Sequence, residues 1–419
     1  MLGKQKILFI ASVLAPDVRQ QIIALRGQGE LTLVALGAIH VASFLVRLVD
    51  VVDMVFGTQI RTKMDNYLVI EVPTEHLHSV MWPRLRERLW KRSPADGRLL
   101  TSGDRMGFAL DAVASKLVRQ STTLIYARED AAEQTFLKGQ SFQIPRIYDL
   151  PTPHHATVKR LMESELLEFP GAAPARSTQI EWNEQRTSRK TRELKLASHI
   201  VVASTITEQS VTDLGIPQHH VTRIPYGCDP TRIDLLRLEE RKPIVLYVGS
   251  VSLRKGIPRL LRVWKKLNAA KTHTLRLVGA MCLERKFLQE YAHDFEHIPA
   301  VPRSQLPKHY LAASFFVFPT VADGYGLVLN EALSCGLPVL ASSNNGAPGF
   351  IIHERQGLIY KHGDDDQFAT YLDRLLATPK VVREMGIEAA ALSRSWTWKE
   401  YNRTFNEAIC QHLQSHEGS

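Results

Sequence analysis

Phe318-Pro-Thr-Val-Ala-Asp-Gly-Tyr-Gly-Leu-Val-Leu-Asn-Glu-Ala-Leu-Ser-Cys-Gly-Leu-Pro-Val-Leu340 is the stretch whose reading decides the fold. Just upstream, Ser314-Phe-Phe-Val-Phe318 is a run of aromatic and β-branched residues ended by Pro319, the pattern of a buried parallel strand whose ladder stops at proline. Gly324 and Gly326 permit positive φ and let a ligand touch the backbone. From Leu327 to Ser334 the residues favour helix, and Gly336 and Pro338 end it. A helix N-terminus then points unpaired N–H groups and the positive end of its dipole out of a glycine loop, which suits a phosphate or diphosphate. Asp323 precedes the loop and Glu331 lies a turn or so into the helix, so two carboxylates flank whatever the loop holds. The same pattern fits a plain strand-to-helix crossover with a capping Asp and a solvated Glu, and the loop alone does not choose between them.

A second unit of this kind lies upstream. Residues 244 to 256, Ile-Val-Leu-Tyr-Val-Gly-Ser-Val-Ser-Leu-Arg-Lys-Gly, read as a buried strand, a small-residue loop and a helix from Ile257 onward. The loop ends in Arg254 and Lys255, which places fixed positive charge at the carboxyl end of a parallel sheet, where such sheets bind anionic ligands. Lys255 would neutralise phosphate oxygens. On its own an Arg-Lys pair is an ordinary solvated surface; beside the acidic loop it is half of a site.

Together the two segments resemble the donor-binding half of family-4 glycosyltransferases of GT-B architecture, whose signature is an acid, seven residues and a Glu. Here that pair is Asp323 and Glu331, with Asp where Glu is more usual. The likeness continues through Gly-Leu-Pro-Val-Leu-Ala-Ser at 336 to 342, Asn345-Gly-Ala347, Gly357-Leu-Ile-Tyr360 and Ser395-Trp-Thr-Trp-Lys-Glu-Tyr401, covering about residues 195 to 405. The resemblance implies two Rossmann-like doubly wound domains facing across a cleft. It also implies sugar transfer from a nucleoside-diphosphate sugar to a saccharide or lipid-linked saccharide, with retention of configuration, no metal and no other cofactor, in polysaccharide or glycoconjugate biosynthesis. It assigns catalysis to Lys255, Asp323 and Glu331, with Asp323 orienting sugar hydroxyls and Glu331 the ribose. Gly249, Ser250, Arg254, Val301, Gly324, Tyr325, Gly326, Leu327 and Val328 would contact the donor. His154, in the proline-bounded loop after the strand Arg146 to Leu150, would face the sugar from the first domain, in preference to His155.

Two departures stand out. Relatives carry Gly-Arg where this chain has Gly249-Ser250, which shifts charge neutralisation onto Lys255 and Arg254. The first strand, Lys6-Ile-Leu-Phe-Ile-Ala-Ser12, runs into Val13-Leu-Ala-Pro-Asp17 rather than a Gly-Gly loop. These departures also allow an alternative, a catalytically silent nucleotide-binding or scaffold member of the same fold. A dinucleotide-dependent oxidoreductase is disfavoured, because no GxGxxG follows an early strand.

Length and composition agree. At 419 residues, two domains of roughly 200 each are expected. We expect an amino-terminal acceptor-side domain over 1–228, a nucleotide-sugar domain over 229–395, and a final helix over 396–419 crossing back onto the first. Hydrophobic content of 44% with 23% charged residues describes an ordered chain, and no apolar run approaches the ~20 residues of a membrane span. With no secretory signal and four scattered cysteines, the expectation is a cytoplasmic protein with reduced thiols.

Strands are expected at Ile7 to Ala11, Leu31 to Leu36, Tyr67 to Val72, Leu124 to Ala127, Arg146 to Leu150 and His199 to Ala203, then at Ile244 to Val248, Leu275 to Val278, Phe315 to Phe318 and Pro338 to Ala341. Arg128-Glu-Asp130 follows a strand, and Asp130 is expected to cap the next helix. Asp364-Asp-Asp366 is read as a helix cap rather than a metal site. The net charge of +9 attracts anions in general, and no nucleic-acid-binding signature accompanies it. One segment is more pointed: Met81-Trp-Pro-Arg-Leu-Arg-Glu-Arg-Leu-Trp-Lys-Arg92 is a basic amphipathic stretch suited to peripheral contact with the anionic inner face of the cytoplasmic membrane.

Overall fold

The computed structural model of the chain describes residues 5–40, 43, 67–80, 102–174, 183–231 and 241–417; the basic segment 81–92 lies outside them. Two parallel sheets organise the described residues. The first has the strands β1 (Gln5–Ala11), β2 (Gly29–Leu36), β5 (Leu77–Val80), β6 (Leu124–Arg128), β7 (Arg146–Leu150), β8 (His199–Val202) and β9 (Val221–Arg223), in the order β5-β2-β1-β6-β7-β8-β9, while β3 (Ile39–His40) and β4 (Leu68–Val69) form a separate pair. The second has β10 (Ile244–Val248), β11 (Thr274–Val278), β12 (Glu296–Ile298), β13 (Phe315–Phe318), β14 (Val339–Ser342) and β15 (Gly357–Tyr360), in the order β12-β11-β10-β13-β14-β15. Each is a doubly wound sheet, and the order of the second reverses between β10 and β13. The crevice beyond the carboxyl ends at such a reversal is where these sheets bind ligands. Both strand–loop–helix units read from the sequence end there.

Central strands follow from composition: β10 is Ile-Val-Leu-Tyr-Val and β13 is Phe-Phe-Val-Phe, buried throughout, as expected of strands covered on both faces. The edge strands β5, β9, β12 and β15 were not anticipated, and the expected strand Tyr67 to Val72 shrinks to Leu68–Val69, outside the main sheet.

Two helices cross between the cores. Helix His155–Glu168, from the first half of the sequence, sends Val158 and Met162 into the core of the second sheet. Helix Trp398–Glu417 sends Trp398, Tyr401, Phe405, Ile409 and Leu413 into the core of the first. There the Phe405 ring lies 5.5 Å from Tyr126, which in turn lies 5.1 Å from Phe9 in an edge-to-face pair.

The same junctions bury histidines. His199 stacks on His412 at 4.6 Å, and His154 lies 3.9 Å from His155. Burial first, then neighbouring imidazoles or Lys190, lowers all four from the usual 6.5 to about 4. The folded protein therefore refuses protons that the unfolded chain accepts, so their contribution is complete above pH 6.5 and is lost as pH falls toward 4. Glu193, raised to about 7, and Asp149, raised to about 6, both chiefly by burial, act with the opposite sign over much of that window. Four groups outweigh two, so Tm is expected to be lower at pH 5 than at pH 7. A thermal melt across that range checks it; a higher Tm at pH 5 would refute the assignment.

Candidate active site

Strand β10 delivers Gly249 and Ser250 to the crevice, and the turn beyond them delivers Arg254 and Lys255 before helix Ile257–Lys266. Strand β13 delivers the Asp323 loop before helix Leu327–Ser334. The two loops meet: the Lys255 ammonium pairs with the Asp323 carboxylate and lies 5.7 Å from the centre of the Phe318 ring. Burial alone would push the Asp323 carboxyl up, but Lys255, then Arg254 and the Tyr325 backbone amide, hold it below its usual range. The pair is charged and partly desolvated, with side-chain exposures of 22% for Lys255 and 17% for Asp323.

Gly326 caps helix Leu327–Ser334 from φ 89°, and no side chain caps that N-terminus. Gly324 does something else. Its φ is not positive, and a Cβ there would lie 1.6 Å from the Pro151 carbonyl oxygen, so this glycine lets the first domain's 151–152 loop press against the site rather than opening room for a ligand. Tyr325 is buried, its hydroxyl donating to the Tyr226 carbonyl at 3.0 Å, so any donor contact it makes is through its backbone. Leu327 and Val328 are half-buried, and Leu327 faces the pocket beside Glu331.

Glu331 projects from the helix into a pocket of about 140 Å³ that also holds Asp229, Thr231, Asn330 and Trp398. Tyr310 donates to one Glu331 oxygen at 2.9 Å and Arg303 to the other at 2.8 Å. Neither partner is among the residues expected from the sequence; Arg303 follows the Val301-Pro302 loop, of which only Val301 is expected at the donor. Val301 itself is half-buried against the second core. Arg303, Asp229 and Trp398 also border a larger cavity of about 690 Å³, whose far wall is Ser12 to Pro16 of the first domain, so that loop reaches the cleft without a Gly-Gly turn.

Other expectations need correction. His154 is 3% exposed, its Nδ1 accepts from the Ala156 amide at 3.3 Å, and it serves as the N-cap of helix His155–Glu168, so the histidine beside the inter-domain space is His155. His155 lines a cavity of about 230 Å³ with Arg186, Lys190 and Arg254. Arg254 thus faces the first domain, and its Nε donates to the Ala322 carbonyl at 3.1 Å, next to Asp323. Ser250 accepts from the Tyr247 hydroxyl at 2.9 Å through its carbonyl. Asp130 does not cap helix Glu133–Ser141. It sits at φ 86° paired with Arg186 and Arg189, and Asp111 accepts the amides of Gln134 and Thr135 instead, at 2.7 and 2.9 Å. Asp364 does cap helix Asp365–Ala377, accepting from the Gln367 amide at 2.9 Å, while Asp365 and Asp366 pair with Arg259, Arg262 and Lys266.

Comparison with known proteins follows the same outline. Residues 232–391 match the family model described as Glycosyl transferases group 1. Among curated proteins the chain is similar to the GDP-mannose-dependent alpha-(1-6)-phosphatidylinositol monomannoside mannosyltransferase of Mycolicibacterium smegmatis, with 29% identity over 210 residues, 44% of this chain and 54% of that protein. It is also similar to the D-inositol 3-phosphate glycosyltransferase of Segniliparus rotundus, with 25% identity over 225 residues, 46% of this chain and 49% of that one. The chain spans about half the length of these curated relatives. Among solved structures, Anabaena HepE in complex with UDP superposes with a TM-score of 0.58 at 16% identity, covering 97% of this chain and 100% of that one. The sucrose-phosphate synthase of Thermosynechococcus elongatus gives 0.62 at 19% identity, covering 98% of this chain and 100% of that one. The chain therefore has the GT-B fold, and its residues 232–391 carry the likeness to group 1 glycosyl transferases.

Proposed function

We propose that this protein is a glycosyltransferase that moves a sugar from a nucleoside-diphosphate donor to a hydroxyl of a saccharide or lipid-linked saccharide. The observation that carries the reading is the convergence at one sheet reversal of the Lys255–Asp323 pair, the uncapped N-terminus of helix Leu327–Ser334, and Glu331 within the same helix. In this reading the diphosphate lies against the helix N-terminus and Lys255. As the glycosidic bond breaks, charge grows on the phosphate oxygens, and these fixed positive groups stabilise the departing diphosphate more than the intact donor. Asp323 holds sugar hydroxyls. Glu331 takes the ribose hydroxyls, which would displace Arg303 from its carboxylate while Tyr310 keeps the second oxygen in place.

Retention of configuration, independence of metal and membership of family 4 belong to the same proposal, as does peripheral membrane contact through the basic residues 81–92. No helix among the described residues is long and apolar enough to cross a membrane. The donor base is open to test with UDP and GDP first, since one structural neighbour was solved with UDP and one relative is described as GDP-mannose-dependent.

Thermal melts with UDP, GDP and ADP, and with their sugars, are expected to show a saturable rise in Tm for one base. Glu331→Ala should weaken that nucleotide by about 10- to 100-fold, the worth of hydrogen bonds to a charged group. Absence of any nucleotide response would sink the proposal. The silent-member reading has one observation in its favour, the Glu331 carboxylate already held by Arg303 and Tyr310. Nucleotide binding without donor hydrolysis or transfer would select it.

A further inference from the structure

Asn330 stands immediately before Glu331 and is 2% exposed, at the floor of the pocket into which Glu331 projects. Each polar group of its side chain has a partner. Nδ2 donates to the Tyr226 carbonyl at 2.6 Å and to the Gly227 carbonyl at 2.9 Å. Oδ1 accepts from the Tyr325 hydroxyl, whose single proton is shared with the Tyr226 carbonyl, 3.0 Å from each. Two residues of the donor loop and helix thus hold the segment by which the chain leaves the first sheet.

That segment is itself fixed. The Ile224 amide donates to the Val202 carbonyl of β8 at 2.9 Å, the Cys228 amide to the Trp396 carbonyl at 3.3 Å, and the Trp398 amide to the Cys228 carbonyl at 3.2 Å. A Cβ on Gly227 would lie 2.7 Å from the Thr397 carbonyl, so the outgoing and returning crossings between the sheets are in backbone contact. Tyr226 and Tyr325 both belong to the core of the first sheet, their rings 5.0 Å apart.

Helix Leu327–Ser334 has eight residues, too few to hold an orientation of its own, so tertiary contacts set it. Successive helical residues point about 100° apart, so one can be buried while the next is presented to a pocket. Asn330 takes the first place and Glu331 the second. The residue type follows: two carbonyls call for two N–H donors and the tyrosine hydroxyl for an acceptor, and a primary amide supplies all three. An aspartate would set oxygen against oxygen, and a leucine would offer no donor.

We propose that Asn330, with Tyr325, is a positioning residue of the donor site: by tying the Glu331 helix to residues 226–227 it sets where the Glu331 carboxylate meets the ribose. This rests on the reading of Glu331 as the ribose acceptor. Neither side chain touches the donor; both act through Glu331. The ribose contact is then referenced to the joint between the two sheets and not to the second domain alone.

The test uses whichever of UDP, GDP and ADP the protein binds, together with its 2′,3′-dideoxy counterpart, which lacks both ribose hydroxyls. Isothermal titration calorimetry well below Tm gives a Kd for each, and their ratio reads the ribose contact. The parent is expected to favour the ribonucleotide by about 10- to 100-fold and Glu331→Ala to lose the preference. Asn330→Ala should lower the ratio at least about fivefold with the dideoxy Kd kept within about twofold, and Asn330→Ala/Glu331→Ala should match Glu331→Ala, since nothing is left for Asn330 to act on. Tyr325→Phe keeps its ring in the first core and should lower the ratio by about two- to threefold, which decides the matter if Asn330→Ala does not fold. A ratio kept at the parent value in Asn330→Ala or, where that variant does not fold, in Tyr325→Phe overturns the inference, whether both nucleotides bind as before or both weaken together through general loosening. A ratio that survives Glu331→Ala, or binding of none of the three nucleotides, overturns the ribose reading and this inference with it.

Discussion

Lys255→Ala is expected to lower kcat for sugar transfer by about 100- to 1,000-fold, the loss seen when one fixed donor to a developing charge is removed from a desolvated site. In the proposed reaction the effect belongs in kcat, because the ammonium would interact more strongly with the departing diphosphate than with the intact donor. Lys255 also steadies Asp323, so the single variant has two consequences that must be separated. Without its partner, Asp323 retains the burial that pushes its carboxyl upward and loses the charge that holds it down. Its pKa should rise, and the residual activity should acquire an acid limb that the parent enzyme lacks. In the parent the lowered carboxyl titrates below its ordinary 3.8, so the stability it contributes is present above that value and is lost only as pH falls through the folded value. Lys255→Ala/Asp323→Asn removes the new titration while leaving the diphosphate without its cation. The double variant should therefore stay slow with a flat acid profile. Activity of either variant within a few-fold of the parent would dissociate Lys255 from the chemistry.

Arg259→Ala should cost about 3–5 kcal/mol of stability, as expected when one member of a buried ion pair is removed and the other is stranded. Arg259 has a side chain 6% exposed and meets Glu165, 2% exposed, at 2.6 Å; His362 approaches the same Glu165 oxygen at 3.3 Å. Burial would raise Glu165, yet the His362 hydrogen bond and the Arg259 charge keep its carboxyl below its usual range. The instructive control is Arg259→Met/Glu165→Leu. Replacing both charges by apolar groups of similar volume removes the desolvation penalty along with the attraction, so the double variant should lie within about 1 kcal/mol of the parent or above it. Arg259 also pairs with Asp365, which at 24% exposure is left closer to water. Urea unfolding followed by tryptophan fluorescence reads both variants. If the double variant is as unstable as Arg259→Ala, the pair itself, rather than a stranded charge, holds the helix His155–Glu168 on the second domain.

The sequence made the central parts of this molecule legible because they satisfy local rules. β10 and β13 are uninterrupted apolar runs, and each is followed by small residues and a helix with clear limits. Helix Leu327–Ser334 begins and ends where Gly326, Gly336 and Pro338 require. The edge strands β5, β9 and β12 read Leu-His-Ser-Val, Val-Thr-Arg and Glu-His-Ile. Each pairs on one side only, and nothing in their composition separates them from loop; the neighbouring strand makes them extended. Asp130 failed as a cap for a related reason, since Arg186 and Arg189 from a later helix take its carboxylate. Tertiary partners likewise decided His154, Arg303 and Tyr310. Gly324 looked like room for a ligand, but only the position of Pro151 reveals what the missing side chain makes room for.

The exchanged helices have a consequence for how the chain can be made and taken apart. Translation delivers the first sheet long before Trp398 to Leu413, the residues that close its core, so the amino-terminal half must wait with an apolar face uncovered until the carboxyl terminus emerges. A half-length product ending near residue 228 would carry two exposed surfaces: the unfinished core, and helix His155–Glu168 with no second domain to cover it. Conversely, a protease nick between the two sheets would leave each fragment hooked to the other by a borrowed helix. Such a molecule should migrate as one particle until denaturant unclasps it.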